Sequence, residues 1–277
     1  MWAECVLPSL FPFMVISLIA IKSGFAEKAA LPLKKITGVF ALPPAAAVLF
    51  LISVCSGYPA GAKAVSEFYE SGRIDEKDAS KLAAICSTSG PLFILGSVGA
   101  KMLKDGDAAK TIFIAHMLSV LVSGLIIAAW RRKKTVKEFR PAPKESDVLY
   151  KCFSGAVTAV LVAGGFIAFF AVAAQAIADF NLLLPLEKFL CLFLDNESAA
   201  AVTKGIIEVT TGCLALSACD SPLKVPLTGF LVTFGGVSIL LQQLCYFSKA
   251  GTGAVYFVGV KFLQGIICFL LLLPFCQ

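Results

Sequence analysis

Long apolar segments dominate this chain and restrict what it can fold into. Of its 277 residues, 58% are hydrophobic and only 15% are charged, whereas soluble domains carry about 25% charged residues. About 20 consecutive apolar residues suffice for a helix to cross the hydrocarbon core of a bilayer. Segments near that length lie at roughly 5–23, 43–70, 82–103, 110–130, 154–178, 199–221, 225–247 and 253–275. The sequence therefore predicts an all-α polytopic membrane protein in a lipid bilayer, without a soluble domain and with 5–23 retained as an anchor.

A basic stretch, RRKKTVKEFRPAPKE at 131–145, divides these segments into two sets of four. We therefore predict a first membrane repeat at 1–130, a basic linker at 131–152 and a second membrane repeat at 153–277.

Short stretches of the two halves resemble each other, which indicates an internal duplication. The matched pairs are, at a shift of 155 residues, ISVCSGYPAGA (52–62) over IEVTTGCLALS (207–217) and, at a shift of 145 residues, TSGPLFIL (88–95) over TFGGVSIL (233–240), His116 over Lys261 and Ser119 over Gln264.

The distribution of Lys and Arg predicts how the helices are oriented, because cytoplasmic loops carry an excess of these residues. If 43–70 and 199–221 are re-entrant helical hairpins rather than spans, most of the 24 Lys and Arg residues fall in loops on one side of the membrane, and the charged stretch 70–81 is one of these loops. Each half then crosses the membrane three times and the two repeats have inverted topology. The basic linker is cytoplasmic in this arrangement, and both termini are extracytoplasmic. The alternative is eight full spans with parallel repeats, which weakens the charge bias.

Four short stretches rich in Gly, Pro, Ser and Thr interrupt the apolar segments, at 56–59, 88–91, 210–212 and 233–236. Non-helical backbone at membrane depth has to be covered by protein or line a wet cavity, and in secondary transporters such breaks bind substrate and ion near the midplane. We therefore predict a substrate-binding role for Ser56, Gly57, Tyr58, Pro59, Thr88, Ser89, Gly90, Pro91, Thr210, Thr211, Gly212, Gly235, Gly236 and Ser238. The alternative is structural: a hairpin tip at the first stretch and a packing kink at the second.

Three ionisable side chains lie within apolar runs, where a charged group costs about 2.5–3.5 kcal/mol on insertion scales. Glu208 in GIIEVTTG would bind a proton, a cation or a polar group of the substrate if it lies deep, and would face the membrane surface if its hairpin is shallow. Lys261 and His116 each have a polar residue three positions later on the same helical face, Gln264 and Ser119. We predict that these four residues couple ions or line the path. The alternatives are a snorkelling lysine and a packed histidine.

Other classes of function lack their motifs in this sequence. The ten cysteines are scattered without the paired spacing of a zinc or redox site, so we interpret them as packing residues. The single histidine excludes His-based metal cages, and there is no Walker-type phosphate loop or nucleophile elbow. The net charge of +6 comes from basic residues beside membrane segments and does not indicate nucleic-acid binding. We expect no catalysis, no metal and no cofactor.

Several motifs together resemble the YlbJ-type sporulation integral membrane proteins: VLPSLFPFMVIS, CSGYPAGAKAVSEFYESGRI, STSGPLFILGSVG, GIIEVTTGCLALS and GGVSILLQQL. These proteins are grouped with the nucleoside-recognition, or Gate, domain proteins, which include as distant relatives the membrane domain of FeoB-type ferrous-iron transporters. The resemblance covers nearly the whole chain and implies two Gate-like repeats in a bacterial cell membrane, with a transport role. It implies functional roles for Ser56, Gly57, Tyr58, Pro59, Gly90, Pro91, Glu208, Thr211, Gly212, Gly235 and Gly236.

Two functional hypotheses follow from the residues and the resemblance. The first is a secondary transporter or permease for a small polar, nucleoside-like solute, working by alternating access with H⁺ or Na⁺ coupling. The second is a non-transporting membrane scaffold or assembly factor for the spore envelope. Helix faces with small residues would also permit a homodimer.

Overall fold

The computed structural model describes residues 7–25, 31–130 and 147–276, and every regular element in these ranges is a helix. Short 3-10 turns aside, the helices are α1 (Leu7–Lys22), α2 (Lys34–Val39), α3 (Ala45–Ser56), α4 (Ala60–Glu70), α5 (Glu76–Ile85), the π-helix π1 (Leu92–Leu103), α6 (Gly106–Trp130), α7 (Val148–Asp179), α8 (Leu184–Leu190), α9 (Asn196–Ile207), α10 (Val209–Ala218), α11 (Lys224–Phe234), α12 (Gly236–Phe247) and α13 (Ala254–Leu272). The all-α prediction is confirmed. Most of the predicted basic linker, 131–146, lies outside the described residues.

Long apolar helices give the chain the character of a membrane protein. Within the described ranges, four segments are long and apolar enough to cross a membrane: Gly106–Trp130, Val148–Ile177, Lys224–Ala250 and Ala254–Phe275. Large apolar side chains on their surfaces are exposed, including Val172 and Val255, as is typical of helices that face lipid rather than water. A polytopic membrane protein is thus confirmed, while the inverted repeats and the eight-span alternative both stay predictions.

Two pairs of short helices fold back on themselves, α3 with α4 and α9 with α10. These helices have 10 to 12 residues, about 15–18 Å of length, against a hydrocarbon core of about 30 Å. Gly61 of α4 lies against Ser53 of α3, and Gly212 of α10 lies against Gly205 of α9. A Cβ at Gly61 or at Gly212 would clash with the facing residue. The segments predicted at 43–70 and 199–221 are therefore helical hairpins, and their re-entry into a membrane stays a prediction.

The second hairpin breaks at Glu208 and not at 210–212, where we predicted the break. Glu208 is extended, with φ −138° and ψ 113°, and the predicted residues form the first turn of α10. Helix α9 ends 151 residues after α3, whereas the sequence match used a shift of 155 residues. The duplication itself stays a prediction.

Helix α5 lies partly in the charged stretch 70–81, which we interpreted as a loop. It begins at Glu76 because the Asp75 side chain caps it, accepting a hydrogen bond of 2.9 Å from a backbone amide three residues later. Lys81 is only 6% exposed, and its ammonium donates to the Ala41 carbonyl at 3.0 Å. The loop interpretation is therefore wrong, because these charged residues belong to a helix that packs against protein.

The remaining predicted breaks are confirmed. Residues 57–59 separate α3 from α4, and residues 86–90 are non-helical between α5 and π1. Gly235 separates α11 from α12 with φ +93°, and Gly236 follows with φ +70°. Both conformations favour glycine, because an L-residue with a Cβ is strained there.

The cap of α9 fixes where the second hairpin begins. The Asp195 carboxylate accepts a hydrogen bond of 2.8 Å from the Ser198 amide. This bond stabilises the ionised form and holds the pKa of Asp195 below its usual range. An acidic cap also interacts favourably with the positive end of the helix dipole.

The chain divides into two compact units, each built from separate segments. The described residues of the first unit fall in 1–90, 120–164 and 242–260, and those of the second fall in 91–119, 165–241 and 261–277. Apolar cores occur in both, around Met14, Leu18, Ala156 and Val160 in the first unit and around Ile94, Leu216, Leu231 and Leu272 in the second. Each unit draws on both halves of the sequence, and the division into repeats at 1–130 and 153–277 stays a prediction.

Candidate functional site

The tip of the first hairpin packs against the non-helical residues that follow α5. Two hydroxyl pairs join them: Tyr58 Oη lies 2.7 Å from Ser89 Oγ, and Ser53 Oγ lies 2.8 Å from Thr88 Oγ1. Except for the partly exposed tyrosine, these side chains are fully buried. The two polar stretches that the sequence singled out in this unit therefore form one cluster, which we call the hydroxyl cluster.

Two glycines make this close packing feasible. Gly57 has φ +69°, and a Cβ on it would lie 2.7 Å from the Gly90 amide nitrogen. A Cβ on Gly90 would in turn lie 3.3 Å from the Gly57 nitrogen. Beside them, Ser56 Oγ lies 3.3 Å from Ser17 Oγ of α1, and the peptide bond before Pro59 is cis. The backbones of the tip and of the stretch after α5 thus touch directly.

Replacing Tyr58 by phenylalanine tests the hydroxyl cluster. The variant loses the bond to Ser89 and keeps the ring, so we expect the free energy of unfolding to fall by about 0.5–1.5 kcal/mol. Unfolding of the purified protein in detergent, followed by circular dichroism, measures the change. Tyr150→Phe is the matched control because Tyr150 is 76% exposed, and equal effects of the two variants would contradict a role for the Tyr58 hydroxyl.

Glu208 forms the tip of the second hairpin and caps α10. Its carboxylate accepts hydrogen bonds from the Thr210 amide at 3.0 Å and the Thr211 amide at 2.8 Å, and the Thr211 hydroxyl donates to the Glu208 carbonyl at 2.8 Å. Glu208 is only 9% exposed. A carboxylate has about four lone-pair positions, so two remain for a cation or a solute donor. The cap explains why the chain turns here, and the side chain keeps acceptor capacity beyond that role.

The break between α11 and α12 lies against the end of α9. A Cβ on Gly236 would lie 2.9 Å from the Gly205 carbonyl oxygen and 3.3 Å from the carbonyl oxygens of Ile206 and Ile207. These oxygens belong to the last turn of α9, where helix carbonyls lack partners within the helix. Ser238, one turn into α12, is 2% exposed. In this unit too, a hairpin tip and a helix break meet.

His116 and Lys261 are buried in the second unit. His116 Nδ1 lies 2.9 Å from the hydroxyl of Thr233, in the last turn of α11 before the break, and Ser119 donates to the His116 carbonyl at 2.7 Å. Lys261 lies near enough to His116 to interact electrostatically, and both it and Gln264 are 0% exposed. A lysine that snorkels to the surface is therefore excluded. His116, Thr233 and Lys261 thus form a buried polar cluster beside the break between α11 and α12.

The predicted site residues thus fall into two sets, one in each unit. The first set contains Ser56, Gly57, Tyr58, Pro59, Thr88, Ser89 and Gly90. Pro91, the next residue along the chain, precedes π1 and falls in the second unit. The second set contains Glu208, Thr210, Thr211, Gly212, Gly235, Gly236, Ser238, His116, Ser119, Lys261 and Gln264. Within it, Gly212 serves the helix contact with Gly205, and the Thr211 side chain is exposed.

Sequence patterns did not single out Gln243 as a candidate functional residue. Gln243 lies in SILLQQLCYF of α12 and is 0% exposed. The search for functional residues weighed ionisable groups and helix breaks, and a neutral amide is neither. Two consecutive glutamines within an apolar run were the signal that would have found it.

The chain is similar to an integral membrane protein of a spore-forming bacterium. It is 28% identical over 300 aligned residues to the sporulation integral membrane protein YlbJ of Bacillus subtilis strain 168, and the alignment covers 96% of this chain and 72% of that protein. The similarity supports the YlbJ-type resemblance across nearly the whole sequence. The chain matches no protein-family profile, and no solved structure matches it.

Proposed function

We propose that this protein is a secondary transporter of a small polar, nucleoside-like solute in the cell membrane of a bacterium. One observation carries the proposal: in each unit, the tip of a short helical hairpin packs against a second break in the helices. Helix breaks expose backbone groups and polar side chains that are costly in hydrocarbon, and transporters use them to hold solute and ion. The same proposal includes inverted Gate-like repeats, a distant relation to the FeoB membrane domain, a cytoplasmic basic linker and extracytoplasmic termini.

Glu208 is the coupling or recognition group in this proposal. Its carboxylate is nearly buried at a hairpin tip and keeps lone pairs beyond those used by the α10 cap. Such a group can bind H⁺, Na⁺ or a donor of the solute in one state and release it in another. His116 and Lys261 supply further groups whose protonation can change beside the α11 break.

A binding screen with Glu208→Gln tests the function. Nucleosides, nucleobases, amino acids and monovalent and divalent cations would each be added to the purified full chain in detergent, because a ligand that binds the folded state raises the unfolding midpoint. We expect stabilisation by at least one solute class. Glutamine retains an acceptor for the cap but removes the charge. We therefore expect Glu208→Gln to bind that solute, or its coupling ion, about tenfold or more weakly than the unchanged protein.

Glu197→Gln is the matched control, since Glu197 is an exposed residue of the same hairpin. Loss of binding in both variants would contradict a specific role for Glu208. A protein that no solute stabilises, and that moves none across vesicle membranes, would overturn the transport proposal.

The name of the Bacillus relative, a sporulation integral membrane protein, favours a second candidate, a role in sporulation without transport. A membrane scaffold for spore-envelope assembly requires partner-binding helix faces and no solute site, and homodimer formation would fit either function. If the protein is such a scaffold, cells that express Glu208→Gln and cells that express the unchanged protein in equal amount should sporulate equally well. Failure of sporulation with normal expression would favour transport.

A further inference from the structure

Gln243 is a buried amide whose side chain has no hydrogen-bond partner among the described residues. It is 0% exposed on α12, and no hydrogen-bonding group of the described residues reaches its Nε2 or its Oε1. Buried polar side chains in folded proteins are nearly always hydrogen-bonded. Gln243 therefore stands apart from the hydroxyl cluster, where buried groups of the same unit bond one another.

Gln243 has buried apolar residues one turn away in both directions along its own helix. Leu240 lies one turn before it and Phe247 one turn after it on the same face, and both are buried. An unmade hydrogen bond of a buried group costs the free energy of removing that group from water. A methionine of similar shape would avoid this cost, so the amide contributes to the protein only when a molecule outside the chain supplies the bonds.

A second polar group lies at the same end of α12. The Thr252 amide donates to the Phe247 carbonyl at 3.1 Å, which places Thr252 just past the helix end, and its hydroxyl is buried without a partner among the described residues. The turn that precedes it, Ser248–Ala250, packs against α4 and α5. Gln243 and Thr252 thus both have unfilled hydrogen-bonding capacity, one in the last two turns of α12 and the other just past its end.

We propose that Gln243 binds the solute directly, as an unassigned recognition residue of the transporter. A carboxamide offers a donor and an acceptor side by side in one plane, so its complement is a solute edge that carries an acceptor beside a donor. Amides, lactams and the edges of nucleobases have this arrangement. The inference rests on the proposed transport function and adds to it the class of group that the solute presents.

Three pairs of probes test whether the protein recognises a donor that lies beside an acceptor. Uridine with 3-methyluridine, adenosine with purine riboside, and nicotinamide with methyl nicotinate each compare a donor beside an acceptor with a close relative that lacks the donor. Each probe would be added to the purified full chain, and its dissociation constant taken from the shift in unfolding midpoint. We expect at least one parent probe to bind, and its partner to bind about tenfold to a hundredfold more weakly.

Gln243→Met and Gln243→Leu test the residue itself. Both remove the amide and keep an apolar surface, so we expect the unfolding midpoint without ligand to stay level or rise. We expect the response to the bound probe to be lost. Gln175→Leu is the control, because Gln175 is exposed and bonds Asp179, and it should keep the full response.

The outcomes separate the two proposals. Unchanged probe binding in both Gln243 variants would mean that the amide is only hydrated, and it would overturn this inference while leaving transport intact. Equal binding of the two members of a pair would overturn it in the same way. If the protein binds none of the probes yet transports another solute, only the proposed role of Gln243 is refuted. If it transports nothing, both that role and the transport function are refuted.

Discussion

Replacing Gly57 with alanine is expected to lower the unfolding midpoint of the protein by about 5–10 °C. Gly57 has φ +69° and ψ −168°, a region that is essentially restricted to glycine and costs other residues about 1–3 kcal/mol. The added Cβ would also lie 2.7 Å from the Gly90 nitrogen and 3.1 Å from its Cα. Both neighbours are backbone atoms and cannot rotate away, so we expect a total cost of about 3 kcal/mol or more. Thermal unfolding in detergent measures the shift.

Gly259→Ala is the control for this variant. A Cβ at Gly259 of α13 meets no other atom within 4 Å, and alanine is a better helix former by about 1 kcal/mol. We expect this variant to be as stable as the parent or slightly more so. A Gly57→Ala protein that unfolds at the parent temperature would show that the tip and the stretch after α5 do not touch.

Gly212→Ala is expected to have the second largest effect. Its Cβ would overlap the Gly205 Cα and lie 2.6 Å from the Gly205 nitrogen, with Leu231 Cδ1 at 3.0 Å. The two helices of the second hairpin would have to separate, and overpacking of this kind costs about 1–3 kcal/mol. Because the hairpin tip carries Glu208, we also expect weaker solute binding. The unfolding midpoint and the solute response, measured on the same sample, check both effects.

The control for Gly212→Ala is Gly165→Ala on α7, because a Cβ at Gly165 meets no other atom within 4 Å. It should leave both measurements unchanged. If Gly212→Ala loses stability yet keeps full solute binding, Gly212 is a packing glycine and nothing more, and its predicted substrate role is wrong.

The positions of apolar runs and of Gly and Pro residues predicted much of the fold, because membrane helices and their breaks leave strong local signals in the sequence. Apolar length predicted α6, α7 and α13, and the Gly and Pro residues at 56–59 and 88–91 predicted the tip of the first hairpin and the break after α5. The same residue types predicted that Gly235 separates two helices. At Gly57 and Gly235 the backbone has a positive φ that favours glycine, so the residue type itself marks the break.

The sequence missed features whose residue type is also compatible with another structure, or that depend on tertiary contacts. Glutamate is compatible with a helix, so nothing local marked Glu208 as the break; it ends α9 because its carboxylate caps α10. The charged stretch around Lys81 looked like a loop, since its burial depends on the distant Ala41 carbonyl. Gln243 shows the same limit, because only the packing around a neutral amide reveals that its bonds are unmade.

The hydroxyl cluster bears on how tightly a solute could be held at the first hairpin. Tyr58 with Ser89 and Ser53 with Thr88 already bond each other. A solute hydroxyl that enters has to exchange with one of these bonds, and it gains only the difference between the old bond and the new one. Exchange of this kind favours weak binding and rapid dissociation. For a carrier this is an advantage, because its turnover depends on releasing the solute as readily as it takes it up.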